Sequence, residues 1–385
     1  MSEGKITGVL TVEEFTKENI GHLATISDVQ KDEEGSKANY EGKGEGTRLR
    51  NPEINRPVML NTKEYFGKLR TSFNNNNTTI LAVVTLFMVI ASISISDSFR
   101  TLMNARNLLG QAMPFLILTL GQLVIIVAGG LDLSSGALVA ATGVLGVSFM
   151  VKHPDSVLLG VVIMLVFGLI VGLMNSVLVV KAKLDSFVVT LGMSIVLTGV
   201  TLIITKNPIG PSPKILRVIA NNDVLGIPYV LFIIIALVVV FSILMKYTTL
   251  GRRFYAVGEN PKGSYWAGLP VQKTRFIAFI ISASMSVLTA LFLMGRTGAG
   301  DPAFGPGMEL TAIACALIGG ARLGGGRGTV GGALLGVLLL AILENFLSLM
   351  NVDLWYQEVF GGMLLLAIII TYEYRIKKIR MSVRS

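Results

Sequence analysis

Three carboxylates stand inside apolar segments of the sequence, where ionisable residues are costly and are the first candidates for function: Asp132, Glu309 and Glu344. Asp132 follows Gly129 and Gly130, so it suits a pore or hinge position at a broken helix, or a cap that accepts backbone N–H bonds from the next helix. Glu309 falls in the first turn of a short predicted helix. Like Asp132, it suits either a helix cap or a functional role. Glu344 lies too deep in its segment to be an N-terminal cap, which leaves hydrogen bonding to neighbouring helices or lining of a substrate path.

Uncharged polar side chains occupy three further positions in apolar segments, Gln122, Asn175 and Thr190. Their amide and hydroxyl groups suit contacts with the hydroxyl groups of a sugar, and they suit hydrogen bonds between helices equally well. With the three carboxylates they form the candidate translocation path.

Motifs for catalysis and metal binding are missing from the sequence. There is no Gly-x-x-x-x-Gly-Lys-Ser/Thr loop, so the chain does not hydrolyse ATP by that route, and neither Gly-x-Ser-x-Gly nor His-Glu-x-x-His occurs. Cys315 is the only cysteine, and the two histidines, His22 and His153, are far apart. We predict no catalytic residue, no bound metal and no directly bound cofactor.

Composition and the length of the apolar runs indicate a membrane protein. Hydrophobic residues make up 52% of the chain and charged residues 15%. The net charge of +9 comes from Lys and Arg in connections and tails, where they set membrane orientation rather than bind nucleic acid. We predict an all-α membrane protein with about ten transmembrane helices, each near the twenty residues that a bilayer requires. The predicted spans are 79–96, 107–128, 132–151, 157–180, 186–205, 229–245, 276–294, 308–320, 329–350 and 356–371.

The chain divides into a tail, a membrane domain and a second tail. Residues 1–76 are polar and of low complexity, which predicts a largely flexible segment. Residues 77–372 form the polytopic membrane domain, and residues 373–385 form a basic tail. Because Lys and Arg concentrate in the connections on the side of the tails, the positive-inside rule places both termini in the cytoplasm.

Glycine patterns mark close packing and two breaks between spans. Gly-x-x-x-Gly at 168–172 and 332–336 allows close approach of helices, either within one subunit or at a dimer seam. The segments 129–136 and 319–326 resemble each other and each lies between two spans, which hints at an internal repeat. The glycines predicted as hinge or close-packing positions are Gly129, Gly130, Gly319 and Gly320.

The longest predicted cytoplasmic connection, residues 246–275, contains signals for a short helix outside the membrane. Pro261 suits the first helical position and Gly268 suits a left-handed C-terminal cap. Tyr265 and Trp266 lie between them, and exposed aromatic residues are enriched at interfaces. A basic loop can also serve topology alone, but these features favour a docking surface. The residues predicted to couple to a partner are Arg252, Arg253, Glu259, Asn260, Pro261, Tyr265, Trp266 and Gly268.

A series of motifs in one order gives the sequence a resemblance to a known family. It resembles the permease subunits of bacterial ABC importers for simple sugars, of the ribose, galactose and xylose type, in the superfamily shared with branched-chain amino acid permeases. The resemblance covers about residues 100–375. Its motifs are Gly129-Gly-Leu-Asp-Leu-Ser134, Ser186-Phe-Val-Val-Thr-Leu-Gly192, Thr249-Leu-Gly-Arg-Arg-Phe-Tyr-Ala-Val-Gly258 with Asn260-Pro261 and Gly268, Glu309-Leu-Thr-Ala-Ile-Ala314, Gly319-Gly320 and Gly325-Gly-Arg-Gly-Thr329.

The resemblance implies a transport complex in the bacterial inner membrane. Two permease subunits, expected to be a homodimer, would form a central path for a monosaccharide of the galactose, ribose or xylose class. Two cytoplasmic ATPase subunits would bind ATP and Mg²⁺ and dock around residues 260–268, and an extracytoplasmic binding protein would deliver the sugar. ATP hydrolysis in the partner would switch the permease between outward-facing and inward-facing states through the short helix.

The sequence also departs from this family. The docking helix has Gly-Ser-Tyr-Trp-Ala at 263–267 where Ala-Ala-Arg-Leu-Ser is usual, so its ATPase partner is expected to be matched to this surface. Asp185 replaces the usual Pro, and the tail 1–76 is longer than usual. Alternatives to a sugar permease are a nucleoside or branched-chain amino acid permease and a cation-coupled secondary transporter. The docking segment disfavours the secondary transporter, and Glu344 within a span disfavours a purely structural scaffold.

Overall fold

The computed structural model describes residues 77–353, 355–357 and 359–363, which form a predominantly helical membrane protein. Within that part of the chain, eight helices are long and apolar enough to cross a bilayer, so the predicted fold class is confirmed. The tails 1–76 and 373–385 lie outside the described residues, as does most of the predicted span 356–371.

The described helices follow the predicted spans, with short elements between them that the sequence did not indicate, namely helices at Lys214–Asn221 and Thr249–Glu259 and a hairpin at 223–228. The elements are α1 (Asn77–Ile95), a 3₁₀ turn (Asp97–Arg100), α2 (Leu102–Val127), α3 (Ser135–Lys152), α4 (Val157–Ser176) with a π-helical turn (Val177–Lys181), α5 (Ser186–Ile204), α6 (Lys214–Asn221), β1 (Asp223–Val224), β2 (Ile227–Pro228), α7 (Tyr229–Tyr247), α8 (Thr249–Glu259), α9 (Pro261–Trp266), α10 (Val271–Thr297), α11 (Met308–Ile318) and α12 (Val330–Leu349).

Helix α2 forms the centre of the bundle. Its most apolar stretch is 89% buried, whereas the corresponding stretch of α7 is only 17% buried and turns its apolar side chains outward. Side chains of α2 pack into one hydrophobic core with those of α10, α11 and α12. A helix that is apolar on all sides belongs inside a membrane bundle, and helices with large exposed apolar faces suit contact with lipid.

The helix predicted over 308–320 is present as α11, but it is too short to cross the membrane as the predicted span requires. Helix α11 has 11 residues, and at 1.5 Å per residue it spans about half of the hydrocarbon core. Non-helical residues 298–307 precede it and run along α3, with Gly300 against Gly143 and Gly305 against Gly136. Irregular backbone at this depth is tolerated because protein covers it.

The two Gly-x-x-x-Gly patterns pack within the chain. The pattern at 168–172 on α4 contacts α10 around Ala283, and the pattern at 332–336 on α12 contacts α11 around Cys315. A side chain at these glycines would overlap its neighbour, so they permit close approach of the helices. The interpretation as packing inside one subunit is confirmed.

The connections 128–134, 182–185, 248–270 and 319–329 lie together at one end of the bundle. The Gly326 N–H donates to the Val127 carbonyl at 2.9 Å, which joins the first of these connections to the last. We call this end the basic face. The basic residues of its connections are Lys183, Arg252, Arg253, Lys262, Arg322 and Arg327.

Candidate functional site

The helical structure is interrupted between α2 and α3, next to the basic face. Helix α2 ends at Val127, and α3 begins at Ser135. Between them Gly129 has a φ of +84°, a left-handed conformation that glycine adopts without steric cost. The intervening residues carry hydrogen-bonding groups that no helix satisfies, so other side chains must do so.

Asp132 lies at the centre of this break and is 2% exposed. Its Oδ1 atom accepts hydrogen bonds from the backbone N–H of Ser134 at 3.0 Å and from the Ser134 hydroxyl at 2.6 Å. Its Oδ2 atom accepts a hydrogen bond from the Ser282 hydroxyl of α10 at 2.8 Å. The carboxylate therefore holds the turn before α3 and links it to α10, but it accepts no N–H from the first turn of α3, so the predicted helix cap is not formed.

Three more of the predicted path residues converge on the same break. The Gln122 amide of α2 donates to the Asp132 carbonyl at 2.6 Å and to the Ser135 hydroxyl at 2.7 Å. The Asn175 amide of α4 donates to the Ser134 hydroxyl at 2.8 Å. The Thr190 hydroxyl of α5 accepts from the Leu133 N–H at 3.0 Å. We call this set the break cluster: Gln122, Asp132, Ser134, Asn175, Thr190 and Ser282.

The break cluster is buried and not fully satisfied in hydrogen bonding. Gln122 and Asn175 are 0% and 1% exposed, and their Oε1 and Oδ1 oxygens find no partner within the described part of the chain. Among the described residues, ion pairs join only Asp97 to Arg100 and Asp223 to Arg106, so Asp132 faces hydroxyls and N–H groups without a cation. The cluster can therefore accept further donors such as hydroxyl groups.

The remaining two predicted carboxylates lie at different places. Glu309 is in the first turn of α11, where one of its oxygens accepts from the Gly307 N–H at 3.1 Å and the other packs against Gly136 at the start of α3. Glu344 is partly buried in α12 and makes no hydrogen bond within the described part of the chain. Its neighbour Asn345 pairs with Asn104 through two amide hydrogen bonds of 2.9 Å. Glu344 is thus separate from the break cluster.

The two similar glycine segments end their helices in the same way. The N–H groups of Gly129 and Gly130 donate to carbonyls three and five residues earlier, and those of Gly320 and Ala321 do the same at the end of α11. This is a Schellman-type ending. The equivalence pairs Gly129 with Gly320, which has a φ of +92°, so the sequence match of Gly129 with Gly319 was one residue out of step.

The predicted docking helix is present as α9 on the basic face. The Asn260 side chain caps it by accepting the Gly263 N–H at 2.8 Å, Pro261 is its first residue, and Gly268 follows with a φ of +78°. Tyr265 and Trp266 are 68% and 85% exposed, as the docking interpretation requires. Arg252, Arg253 and Glu259, which we predicted as part of the same connection, lie exposed on the separate helix α8.

Helix α8 joins α9 to the broken membrane helices. Gly258 packs so closely on the Val127 carbonyl and the Gly326 N–H that a Cβ atom would overlap both. The Tyr255 hydroxyl donates to the Gly328 carbonyl at 2.8 Å, and burial raises the pKa of this phenol, which keeps it a donor. Sequence analysis included Tyr255 and Gly258 only as members of a family motif and did not predict their contacts, because neither residue signals a long-range contact by itself.

Removing the central carboxylate is expected to destabilise the fold. Asp132→Ala leaves buried donors on Ser134 and Ser282 without acceptors, at a cost of about 1–3 kcal/mol in the free energy of unfolding. Asp132→Asn keeps one acceptor oxygen and should lose less. Chemical unfolding in lipid nanodiscs measures the effect, with Asp155→Ala, an exposed aspartate, as the matched control. Equal stability of Asp132→Ala and Asp155→Ala would contradict the role of the carboxylate.

Comparisons with known proteins place these features in context. Residues 104–369 match the family described as the permease component of a branched-chain amino acid transport system. The chain is 31% identical to the ribose import permease protein RbsC of Haemophilus influenzae over 297 residues, 76% of this chain and 92% of that protein. No solved structure gives a significant match.

Two further relatives carry names of other sugars. The L-arabinose ABC transporter permease protein AraH of Azospirillum brasilense is 31% identical over 296 residues, 76% of this chain and 87% of that protein. The D-allose transport system permease protein AlsC of Escherichia coli is 30% identical over 293 residues, 75% of this chain and 88% of that protein.

Proposed function

Because the chain belongs to the family of branched-chain amino acid transport system permease components, we propose that it forms the membrane path of an ATP-binding cassette importer for a monosaccharide. The observation that carries the proposal is the capped helix α9 with its exposed aromatic pair. The preceding helix α8 joins α9 to the end of α2 and to the segment after α11, because Gly258 packs on Val127 and Gly326. Relatives named for ribose, arabinose and allose support the sugar class.

The partners follow from this proposal. The basic face is assigned to the cytoplasm by the positive-inside rule, and α9 is where a separate ATPase subunit docks. That subunit binds ATP and Mg²⁺, since this sequence lacks the phosphate-binding loop. A sugar-binding protein delivers its ligand at the opposite face, and a second copy of the chain completes the path.

The contacts support a route from ATP hydrolysis to the membrane helices. Movement of α9 carries α8 with it, because the Ser264 hydroxyl donates to the Ala256 carbonyl at 2.8 Å. Helix α8 in turn contacts Val127 and Gly326 at the two breaks. A rearrangement there exposes or buries the break cluster, whose free Gln122 and Asn175 oxygens would accept sugar hydroxyls.

The chemistry of the break cluster favours a neutral substrate. An amino acid carries a carboxylate, which needs a cationic or strong donor group, whereas the cluster contains Asp132 and no described cation. A nucleoside is neutral and rich in hydroxyl groups, so it is the second candidate substrate.

The test is ATP hydrolysis by the complex reconstituted in nanodiscs from this chain, its ATPase subunit and its binding protein. We expect one monosaccharide among ribose, arabinose, allose, galactose and xylose to stimulate hydrolysis severalfold in the presence of the binding protein. Stimulation by nucleosides or by leucine alone would contradict the sugar assignment. Uptake that continues without the ATPase and collapses with the proton gradient would instead indicate a secondary transporter.

A further inference from the structure

A cavity of about 510 Å³ opens between membrane helices at the basic face, next to the break between α2 and α3. It lies between the end of α2, the π-helical turn after α4, the start of α5 and the start of α10. Its wall is polar and apolar in about equal parts, and Ile125, Val180 and Phe279 contribute to the apolar part. A volume of this size suits a ligand of several hundred daltons or the polar end of a lipid.

Two cationic side chains, Lys183 and Arg275, line this cavity. Arg275 is partly buried and forms no ion pair with a described carboxylate. Its Nε atom is buried and has no hydrogen-bond partner in the described part of the chain. The guanidinium lies beside Gly129, where a Cβ atom would be in van der Waals contact with a terminal nitrogen of Arg275 at 3.4 Å. The guanidinium can therefore pair with an anion that enters the cavity.

One carboxylate, that of Asp185, also lines the cavity, but it is engaged elsewhere. Its Oδ1 atom accepts from the N–H groups of Phe187 at 2.9 Å and Val188 at 3.3 Å and so caps helix α5. It forms no ion pair with Arg275. The two cations therefore exceed the acidic charge of the cavity, and the excess attracts an anion.

We propose that this cavity binds the headgroup of an anionic phospholipid. The phosphate diester pairs with Arg275 and Lys183, and the acyl chains extend along the outward-facing apolar side chains at the start of α5. There Leu184 and Val188 are 51% and 65% exposed. With the basic face in the cytoplasm, on which the proposed function also rests, basic pockets between membrane helices take anionic headgroups. The exposed apolar side chains of Leu184 and Val188 beside the cavity favour a lipid over free phosphate.

The position of the site gives it a link to the docking helix. Gln272 lines the cavity and belongs to the first turn of α10, which follows α9 after a short connection. A bound headgroup therefore contacts the chain segment that leads from α9 into the membrane, beside the break at Gly129. A lipid in the cavity would restrain both the segment that joins α9 to α10 and the break at Gly129.

Native mass spectrometry of the delipidated full-length chain tests this inference with phosphatidylglycerol, phosphatidylcholine and inorganic phosphate. We expect one phosphatidylglycerol to bind tightly per chain and phosphatidylcholine to bind at least tenfold more weakly. Arg275→Gln and Lys183→Asn should each weaken phosphatidylglycerol binding about tenfold through loss of one charge–phosphate contact. Asn suits position 183 because its φ is +57°.

The matched control is Lys273→Gln, which removes the same charge from an exposed residue on the same helix outside the cavity. Its affinity for phosphatidylglycerol should equal that of the parent chain. Equal weakening by Lys273→Gln would show a diffuse charge effect and overturn the proposal. Competition by millimolar inorganic phosphate would show a phosphate site instead of a lipid site. If Arg275→Gln fails to fold, Lys183→Asn decides, and unchanged affinity in that variant overturns the proposal.

Discussion

Replacing Trp266 with glutamate is expected to weaken binding of the ATPase subunit about thirtyfold and to reduce sugar-stimulated ATP hydrolysis accordingly, while leaving the permease folded. Trp266 is 85% exposed and meets the ring of Tyr265 edge to face, with 5.8 Å between centroids. Its loss should change the free energy of unfolding by less than about 0.5 kcal/mol, as for other surface positions. Loss of an aromatic anchor, with a carboxylate desolvated in its place, should weaken docking by about 2 kcal/mol or more, or about thirtyfold.

The measurement is co-purification of the ATPase subunit from lipid nanodiscs, with its affinity determined by titration. Leu323→Glu is the matched control, because Leu323 is 54% exposed on the basic face but lies outside α8 and α9. We expect the control to retain parental affinity. If Trp266→Glu binds the ATPase as tightly as Leu323→Glu does, α9 is not the docking surface.

Gly258→Ala is expected to separate the docking helix from the membrane helices. The added Cβ would overlap the Val127 carbonyl and the Gly326 N–H, so α8 must move outward and the 2.9 Å hydrogen bond between them must lengthen or break. Overpacking of this kind costs about 1–3 kcal/mol in the free energy of unfolding. Because the contact joins α8 to both breaks, sugar should no longer stimulate hydrolysis even where the ATPase remains bound.

Gly192→Ala provides the control for this substitution. Gly192 lies in α5, where a Cβ atom would meet no other atom within 4 Å. Alanine there should be neutral or should stabilise the helix by up to about 1 kcal/mol. Thermal unfolding and sugar-stimulated hydrolysis, measured in the same nanodiscs, compare the two variants. Retention of stimulation in Gly258→Ala would refute transmission through this contact.

Local signals made the docking helix predictable. Pro261 begins a helix of two turns or fewer, and Gly268 follows its end. Each residue acts through the conformation of its own backbone, so the residue type alone predicts its effect. Helix α8 was missed because Thr248 and the residues after it form a short, mixed-polarity segment without the length that marks a membrane span.

The break cluster was predictable as individual residues but not as a site. Gln122, Asp132, Asn175 and Thr190 stood out because polar groups are costly in apolar segments. Their convergence depends on how α2, α4 and α5 pack, which the sequence does not state. Ser282 gave no signal, because serine in a membrane helix usually bonds to its own backbone.

The incomplete crossing before α11 had a signal in the sequence that hydropathy alone does not reveal. Residues 298–307 contain four glycines and two prolines, Gly298, Gly300, Pro302, Gly305, Pro306 and Gly307. Such a density of turn-forming residues argues against a helix immediately before Met308. The predicted spans 276–294 and 308–320 leave these residues as a connection, and hydropathy does not show that this connection packs along α3.

The hydrogen bond between Gly326 and Val127 bears on how many conformations the protein can populate. It connects the end of α2 to the segment after α11, which lie far apart in sequence, and Gly258 packs against both. Neither ending can then change while the other keeps its conformation, because such a mixed arrangement leaves an amide or carbonyl group without a partner. If the proposed transport cycle moves these endings, we expect them to move together.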